Sequence, residues 1–305
     1  DPPATLISYF PPDFLLIMVG FALCRYTPLD RPVWDAAERL VYYLLFPVLL
    51  FNSIVRAPLS PGSMLNLAGC SLVIVGVGIG LAYALGLLPQ VDRRAHASGA
   101  QVAFRFNSYV ALALAERVGG AAGVSAIAMV VAIAVPICNL AAVYPLARHG
   151  GHGYLRELAR NPLILSTVAG LGANLLGLQF PEPVATTLQR IGLAALPLGL
   201  MAVGAGLRFG ALRDAPRLAG ALLAIRHLLL PMVGLALVWL VPMTPVQGIV
   251  VVAFSAMPTA SSCYVLAARL GGHASFVSGL VTVSTLLGML SVPLALAALG
   301  LLAAR

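Results

Sequence analysis

Charge is the scarcest property of this sequence. Only 9% of its residues are charged, and lysine is absent, so all 18 basic residues are arginine. Soluble domains carry about 25% charged residues. With 60% hydrophobic residues over 305 positions, the chain has far more apolar sequence than one soluble core explains, and a soluble globular protein is excluded. The missing lysine is a compositional bias without mechanistic content. Cysteine is sparse too: Cys24, Cys70, Cys138 and Cys263 lie in apolar stretches at unrelated spacings, which excludes a disulfide or thiolate-metal framework. No Gly-x-Ser-x-Gly, paired aspartates or His-Glu-x-x-His occurs. An intramembrane hydrolase, which needs a nucleophile with a base in reach, therefore has no candidate, and no catalytic residue, metal or cofactor is expected. No basic patch is interleaved with aromatics, so the net charge of +8 is no nucleic-acid footprint. Nor does the first apolar run carry the basic leader of a cleaved signal peptide.

Acids are missing from the middles of the apolar runs. Asp1, Asp13, Asp30, Asp35, Glu38, Asp92, Glu116, Glu157, Glu182 and Asp214 all fall at predicted ends or loops. Proton-coupled carriers commonly relay through a buried carboxylate, and this pattern argues against one. Sodium binding through carbonyls and hydroxyls remains open, so the coupling ion, H+ or Na+, is not fixed.

What is present is a series of membrane-length apolar runs, each near the ~20 residues a spanning helix needs. Ten are expected, over 5–25, 33–56, 62–88, 99–118, 120–148, 159–177, 182–207, 215–241, 245–271 and 274–303. The polar connection over 150–160 reads as a loop with a short interfacial helix. One set of loops holds eleven arginines and the opposite set, with the C-terminus, holds four. The richer side is expected in the cytoplasm, which puts both termini outside, in a bacterial inner membrane.

The ninth span is interrupted. In Ala256-Met-Pro-Thr-Ala-Ser-Ser262, Pro258 removes a backbone hydrogen bond and clashes with the preceding turn. In lipid the freed carbonyls must find partners or line a polar cavity, which in transporters marks where a solute sits. The halves repeat. Val102-Ala-Phe104 is followed by Glu116-Arg-Val-Gly-Gly120, and Val252-Ala-Phe254 by Ala268-Arg-Leu-Gly-Gly272. Phe46-Pro-Val-Leu-Leu50 loosely matches Leu196-Pro-Leu-Gly-Leu200, and Val135-Pro136 matches Val292-Pro293. Five spans per copy is odd, so the second copy enters from the opposite face as an inverted repeat. The expected units are 1–148, a cytoplasmic linker over 149–158, and 159–305.

Three stretches, Phe104-Arg-Phe-Asn-Ser-Tyr-Val110, Leu196-Pro-Leu-Gly-Leu-Met-Ala-Val-Gly204 and Ala256-Met-Pro-Thr-Ala-Ser-Ser262 with Tyr264-Val-Leu-Ala267, resemble the auxin efflux carrier family, which includes plant auxin carriers and bacterial carriers for malonate and similar acids. The resemblance spans nearly the whole chain. It implies an all-α membrane fold of ten helices in two inverted repeats, like the NhaA antiporter and bile-acid symporters. Spans 1, 2, 6 and 7 would form a scaffold, and spans 3–5 and 8–10 a moving transport domain. Spans four and nine would be broken and would cross at a site for small organic anions, served by alternating access of elevator type. A sodium-coupled bile-acid-type symporter is the rival within that architecture. In plant relatives a proline precedes the asparagine of span four. Here Phe106 precedes Asn107, so the interruption has to arise elsewhere or be milder. The oligomeric state stays open, a homodimer included.

The candidate substrate contacts follow. Asn107 and Ser108, about nine residues into span four, place an amide and a hydroxyl near mid-membrane, where an interhelical hydrogen bond is the alternative. Arg105 is an intramembrane charge, rare and usually functional, able to grip a carboxylate bidentately or to snorkel to the boundary. Pro258, Thr259, Ser261 and Ser262 form the second break, whose following half-helix presents backbone N–H groups to an anion; hydroxyls bonding back to their own helix are the alternative. Asn52 would face the transport domain from the scaffold or cap a helix. Asn139, Arg226 and His227 are candidates for support or coupling, with Arg226 a fixed charge and His227 a titrating one.

Overall fold

The computed structural model describes residues 12–56, 61–150, 156 and 159–303. Residues 5–11 of the expected first span, most of the connection over 150–160, and Arg305 lie outside the described residues. Those described fold almost wholly into helices: α1 (Pro12–Tyr26), α2 (Arg31–Leu40), α3 (Phe46–Val55), α4 (Pro61–Ala84), α5 (Arg93–Gly99), α6 (Ser108–Gly150), α7 (Pro162–Leu175), α8 (Glu182–Ala205), α9 (Pro216–Ala224), α10 (Leu230–Leu240), α11 (Pro245–Ser255), α12 (Ser262–Arg269) and α13 (Ala274–Ala303). Among the described residues five helical stretches are long and apolar enough to cross a membrane: Met64–Leu87, Arg93–Arg148, Glu182–Ala205, Pro216–Leu240 and Ala274–Ala303.

Several joints set the site. Two π turns, Val41–Leu45 and Ile225–Leu229, link α2 to α3 and α9 to α10. Each ends two residues before a proline, Pro47 or Pro231. A helical proline lacks an N–H and crowds the carbonyl four residues back. The π turn absorbs this by widening: Phe46 donates to Val41 O and Leu230 to Ile225 O, five residues back. The helices thus continue past their prolines with their backbone groups largely paired, as lipid requires. Within α6 the chain folds back at Gly120, whose φ of 56° lies in the region open to glycine. A methyl on Gly123 would meet Ala115 O at 2.2 Å. Eight residues of straight helix would hold these about 12 Å apart, so α6 is two antiparallel arms, corresponding to the expected spans 99–118 and 120–148.

Packing gathers α1, α3, α7 and α8 on one side and α4, α6, α10, α11 and α13 on the other. The seam between α1 and α8 is made by absent side chains. A Cβ on Gly20 would lie 1.8 Å from Met201 O, and one on Gly204 only 1.7 Å from Ile17 O. Small residues allow such close approach, the usual glue between membrane helices. At the start of α11, Thr244 and Gln247 form a reciprocal capping box, with Pro245 in the first turn. Removing an N-cap hydroxyl typically costs about 1 kcal/mol. Thr244→Ala is therefore expected to lower stability in detergent by about that amount, measured by thermal unfolding.

Candidate interrupted-helix site

The fourth span begins earlier than its apolar run. Arg93, Arg94 and His96 read as loop residues, yet they lie on α5, started by Asp92, whose side chain accepts from Ala95 N–H at 2.8 Å. A 3-10 turn, Ala100–Ala103, follows, and the helix stops over Phe104–Asn107 before α6 starts at Ser108. No proline is needed. Asn107 Oδ1 accepts from the N–H groups of Tyr109 (3.1 Å) and Val110 (3.2 Å), and this cap satisfies a new helix start inside the bundle. The second interruption runs from Ala256 to Ser261, between α11 and α12. Its Pro258 ring lies against Gly288 of α13, where a Cβ would come within 2.9 Å.

The two interruptions touch. Asn107 N–H donates to Pro258 O at 2.8 Å. Other backbone groups freed by the breaks are taken up by side chains. The Cys138 thiol donates to Phe104 O, Ser291 to Ala256 O, and Thr259 N–H to Ser284 Oγ. Arg226, 1% exposed, donates to Ser255 O, to Phe254 O (3.3 Å) and to Arg105 O (3.5 Å). His227 lies between two hydroxyls, Nδ1 at 3.0 Å from Ser291 Oγ and Nε2 at 2.7 Å from Ser284 Oγ.

A cavity of about 840 Å³ opens on one face of this crossing. Its lining includes Arg105, Asn107, Ser108, Asn139, Ser261 and Ser262 from and around the two interruptions. Arg105 is half-buried, and its guanidinium donates to Gln101 Oε1 (2.9 Å), Ser262 Oγ (2.8 Å) and Asn139 Oδ1 (3.3 Å). Every one of these acceptors is uncharged, so among the described residues no carboxylate is paired with its positive charge, which lines the cavity. The amide nitrogens of Asn107 and Asn139 are buried and have no acceptor among the described residues. Tyr42, Phe46 and residues of α8 also line the cavity, as do Arg31, Glu38, Arg160 and Arg208.

Not all the candidate residues line this space. Pro258, Thr259, Arg226 and His227 lie behind the wall, holding the breaks rather than facing the cavity. Asn52 is half-buried on α3 and is not in the lining. It lies six residues beyond Phe46, about 9 Å further along and 240° round the helix. The sequence reading also passed over lining residues. Arg31, Asp35, Glu38 and Tyr42 all border the cavity, and their spacing of four, three and four residues is that of one helix face. That spacing was the available signal; their place near the start of a span hid it. Gln101, buried one turn before Arg105 and outside the lining, was missed as the acceptor that holds that guanidinium.

Interrupted helices tied at their midpoints, a cationic cavity beside them, and several helices fit to cross a bilayer define a multi-pass membrane transport protein. A sequence profile described as "Membrane transport protein" matches residues 147–296. Over 293 residues, covering 92% of each chain, the sequence is 25% identical to a protein of Rhizobium meliloti (strain 1021) named "Putative malonate transporter". Residues 147–296 thus match the family of membrane transport proteins that includes the auxin efflux carriers, and the chain as a whole is similar to a transporter of that kind.

Proposed function

We propose that this transporter is a secondary carrier for small organic anions, auxin-like monocarboxylates or malonate-like dicarboxylates, bound at the meeting of the two interrupted helices. The observation that carries this is Arg105: a guanidinium lining a cavity, held among the described residues by neutral groups only. A carboxylate is the partner such a charge lacks, and a charge-assisted pair is the strong kind of hydrogen bond. Ser262 and Ser261, at the start of α12, add the positive end of a helix. The name of the Rhizobium relative favours a dicarboxylate.

In this reading the chain has ten spans in two inverted repeats, 1–148 and 159–305, with both termini outside. The packing of α1, α3, α7 and α8 against one another supports a scaffold, against which the remaining helices move as a transport domain. The cavity borders Arg31, Arg160 and Arg208, all on the arginine-rich, cytoplasmic side, so the conformation is inward-facing. Movement of the transport domain carries the anion to the other face. For a monoanion leaving a negative-inside cell, ~100 mV supplies about 2.3 kcal/mol without a coupling ion.

Counterflow in proteoliposomes with labelled mono- and dicarboxylates tests this. Asn107→Ala removes the cap of α6, and Pro258→Ala lets α11 run on into the break. Each is expected to lower the initial rate at least about tenfold, a loss of transition-state free energy near 1.4 kcal/mol. Wild-type rates in both variants at normal expression would sink the site assignment.

A further inference from the structure

Three backbone carbonyls converge where the interruptions meet. Those of Phe254 and Ser255 close the C-terminal end of α11, and that of Arg105 belongs to the first interruption. A helix C-terminus carries about half a negative charge. Unwound carbonyls and half-helix C-termini are also the groups that hold Na+ in carriers built on broken helices. Here the chain's own cation stands at that point. Arg226 reaches all three oxygens, is almost wholly buried, and is absent from the cavity lining. Among the described residues its partners are these carbonyls and no carboxylate, so the carbonyls and the helix end compensate its charge. A buried charge lacking such compensation is costly.

The neighbouring His227 completes the arrangement. Thr259 N–H donates to Ser284 Oγ, and Ser291 Oγ donates to Ala256 O. With Ser284 donating to His227 Nε2 and His227 Nδ1–H donating to Ser291 Oγ, the chain of bonds has a donor and an acceptor at each link. The neutral imidazole fulfils this by itself, so His227 acts as a strut for the second interruption. The π turn Ile225–Leu229 carries both side chains.

We infer that Arg226 is a resident cation: its guanidinium fills the carbonyl cradle between the two interruptions, the place a coupling sodium ion would occupy, so that the crossing is complete without a bound metal ion. For its meaning in transport this rests on the carrier reading; as a statement about cation binding it does not.

The test uses the purified full chain in detergent and in proteoliposomes, with sodium chloride and guanidinium chloride as probes and choline chloride as the inert control. Thermal unfolding of the wild type is expected to be the same in sodium and in choline. Arg226→Ala opens the cradle, and millimolar guanidinium or sodium should stabilise it saturably, as binding to the folded state does. Arg226→Met, whose side chain fills the space without charge, should not respond. In counterflow at clamped potential the wild type should run within about twofold in either salt. Arg226→Ala should fall at least about tenfold and recover several-fold with guanidinium, as expected when a buried cation is removed from its partners. Saturable sodium stabilisation of the wild type, or sodium-dependent wild-type flux, overturns the inference. So does an Arg226→Met variant that transports at the wild-type rate. Should Arg226→Ala not fold, Arg226→Lys, which restores a charge there, is expected to fold and remain sodium-independent; sodium dependence in it or in the wild type decides against the inference. If the wild type moves no anion at all, the carrier reading falls while the unfolding measurements still decide this one.

Discussion

Arg105→Gln is expected to weaken anion binding by about 10- to 150-fold, the loss of a hydrogen bond to a charged group worth about 1.5–3 kcal/mol. The wild-type guanidinium is already positioned by Gln101, Ser262 and Asn139, so little further ordering opposes binding, and the charge it offers is unneutralised. Glutamine keeps a polar side chain at this half-buried position but removes the charge and the two-pronged fork. Arg105→Lys keeps the charge without the fork and should fall between. Substrate titration by thermal shift and by counterflow would measure both, with elution of monodisperse protein as the folding control. A wild-type affinity in Arg105→Gln would remove the argument for an anion at this position.

Gly204→Val and Gly20→Val should largely abolish folded protein. Each puts a branched side chain where even a Cβ would overlap a backbone oxygen of the facing helix, Ile17 O for Gly204 and Met201 O for Gly20. Overpacking a core typically costs about 1–3 kcal/mol when side chains can adjust. Here the obstacle is backbone, so α1 and α8 must separate along their length, against a total stability of order 5–15 kcal/mol. The yield of monodisperse protein in detergent is the measurement. Gly69→Ala and Gly80→Ala are the controls: nothing lies within 4 Å of a Cβ at either position, and alanine is the better helix former by about 1 kcal/mol. Both should express at wild-type levels or better.

Much of this molecule is legible in its sequence, because lipid leaves a helix few alternatives. Apolar length pointed to the five long apolar helices found among the described residues, and Pro258 located the second interruption through a simple rule about a missing donor. The first interruption carries no such punctuation. It depends on Asn107 turning its side chain onto Tyr109 and Val110, and an asparagine in an apolar run reads equally as a contact to a neighbouring helix. Arg93, Arg94 and His96 disguised the start of α5 because polar residues at a boundary resemble a loop. The cavity face of α2 was hidden for the same reason, Asp35 and Glu38 resembling a solvated end. Which side of a helix Asn52 or His227 presents is set by partners far away in the chain, here Ser284 and Ser291 for His227, and periodicity in strongly apolar helices is too faint to tell.

The bond from Asn107 to Pro258 O also fixes the order in which the molecule can be finished. Synthesis delivers the first interruption long before the second, and the second is itself held by Ser284 and Ser291 of α13. Until α13 is threaded into the bilayer, an amide at Asn107 waits without its settled acceptor, at a cost of a few kcal/mol in an apolar setting. A nascent chain stalled before α13 is thus a poor thing to leave in a membrane and a natural target for quality-control proteolysis. The contact between the two interruptions closes only once Ser284 and Ser291 of α13 are in place.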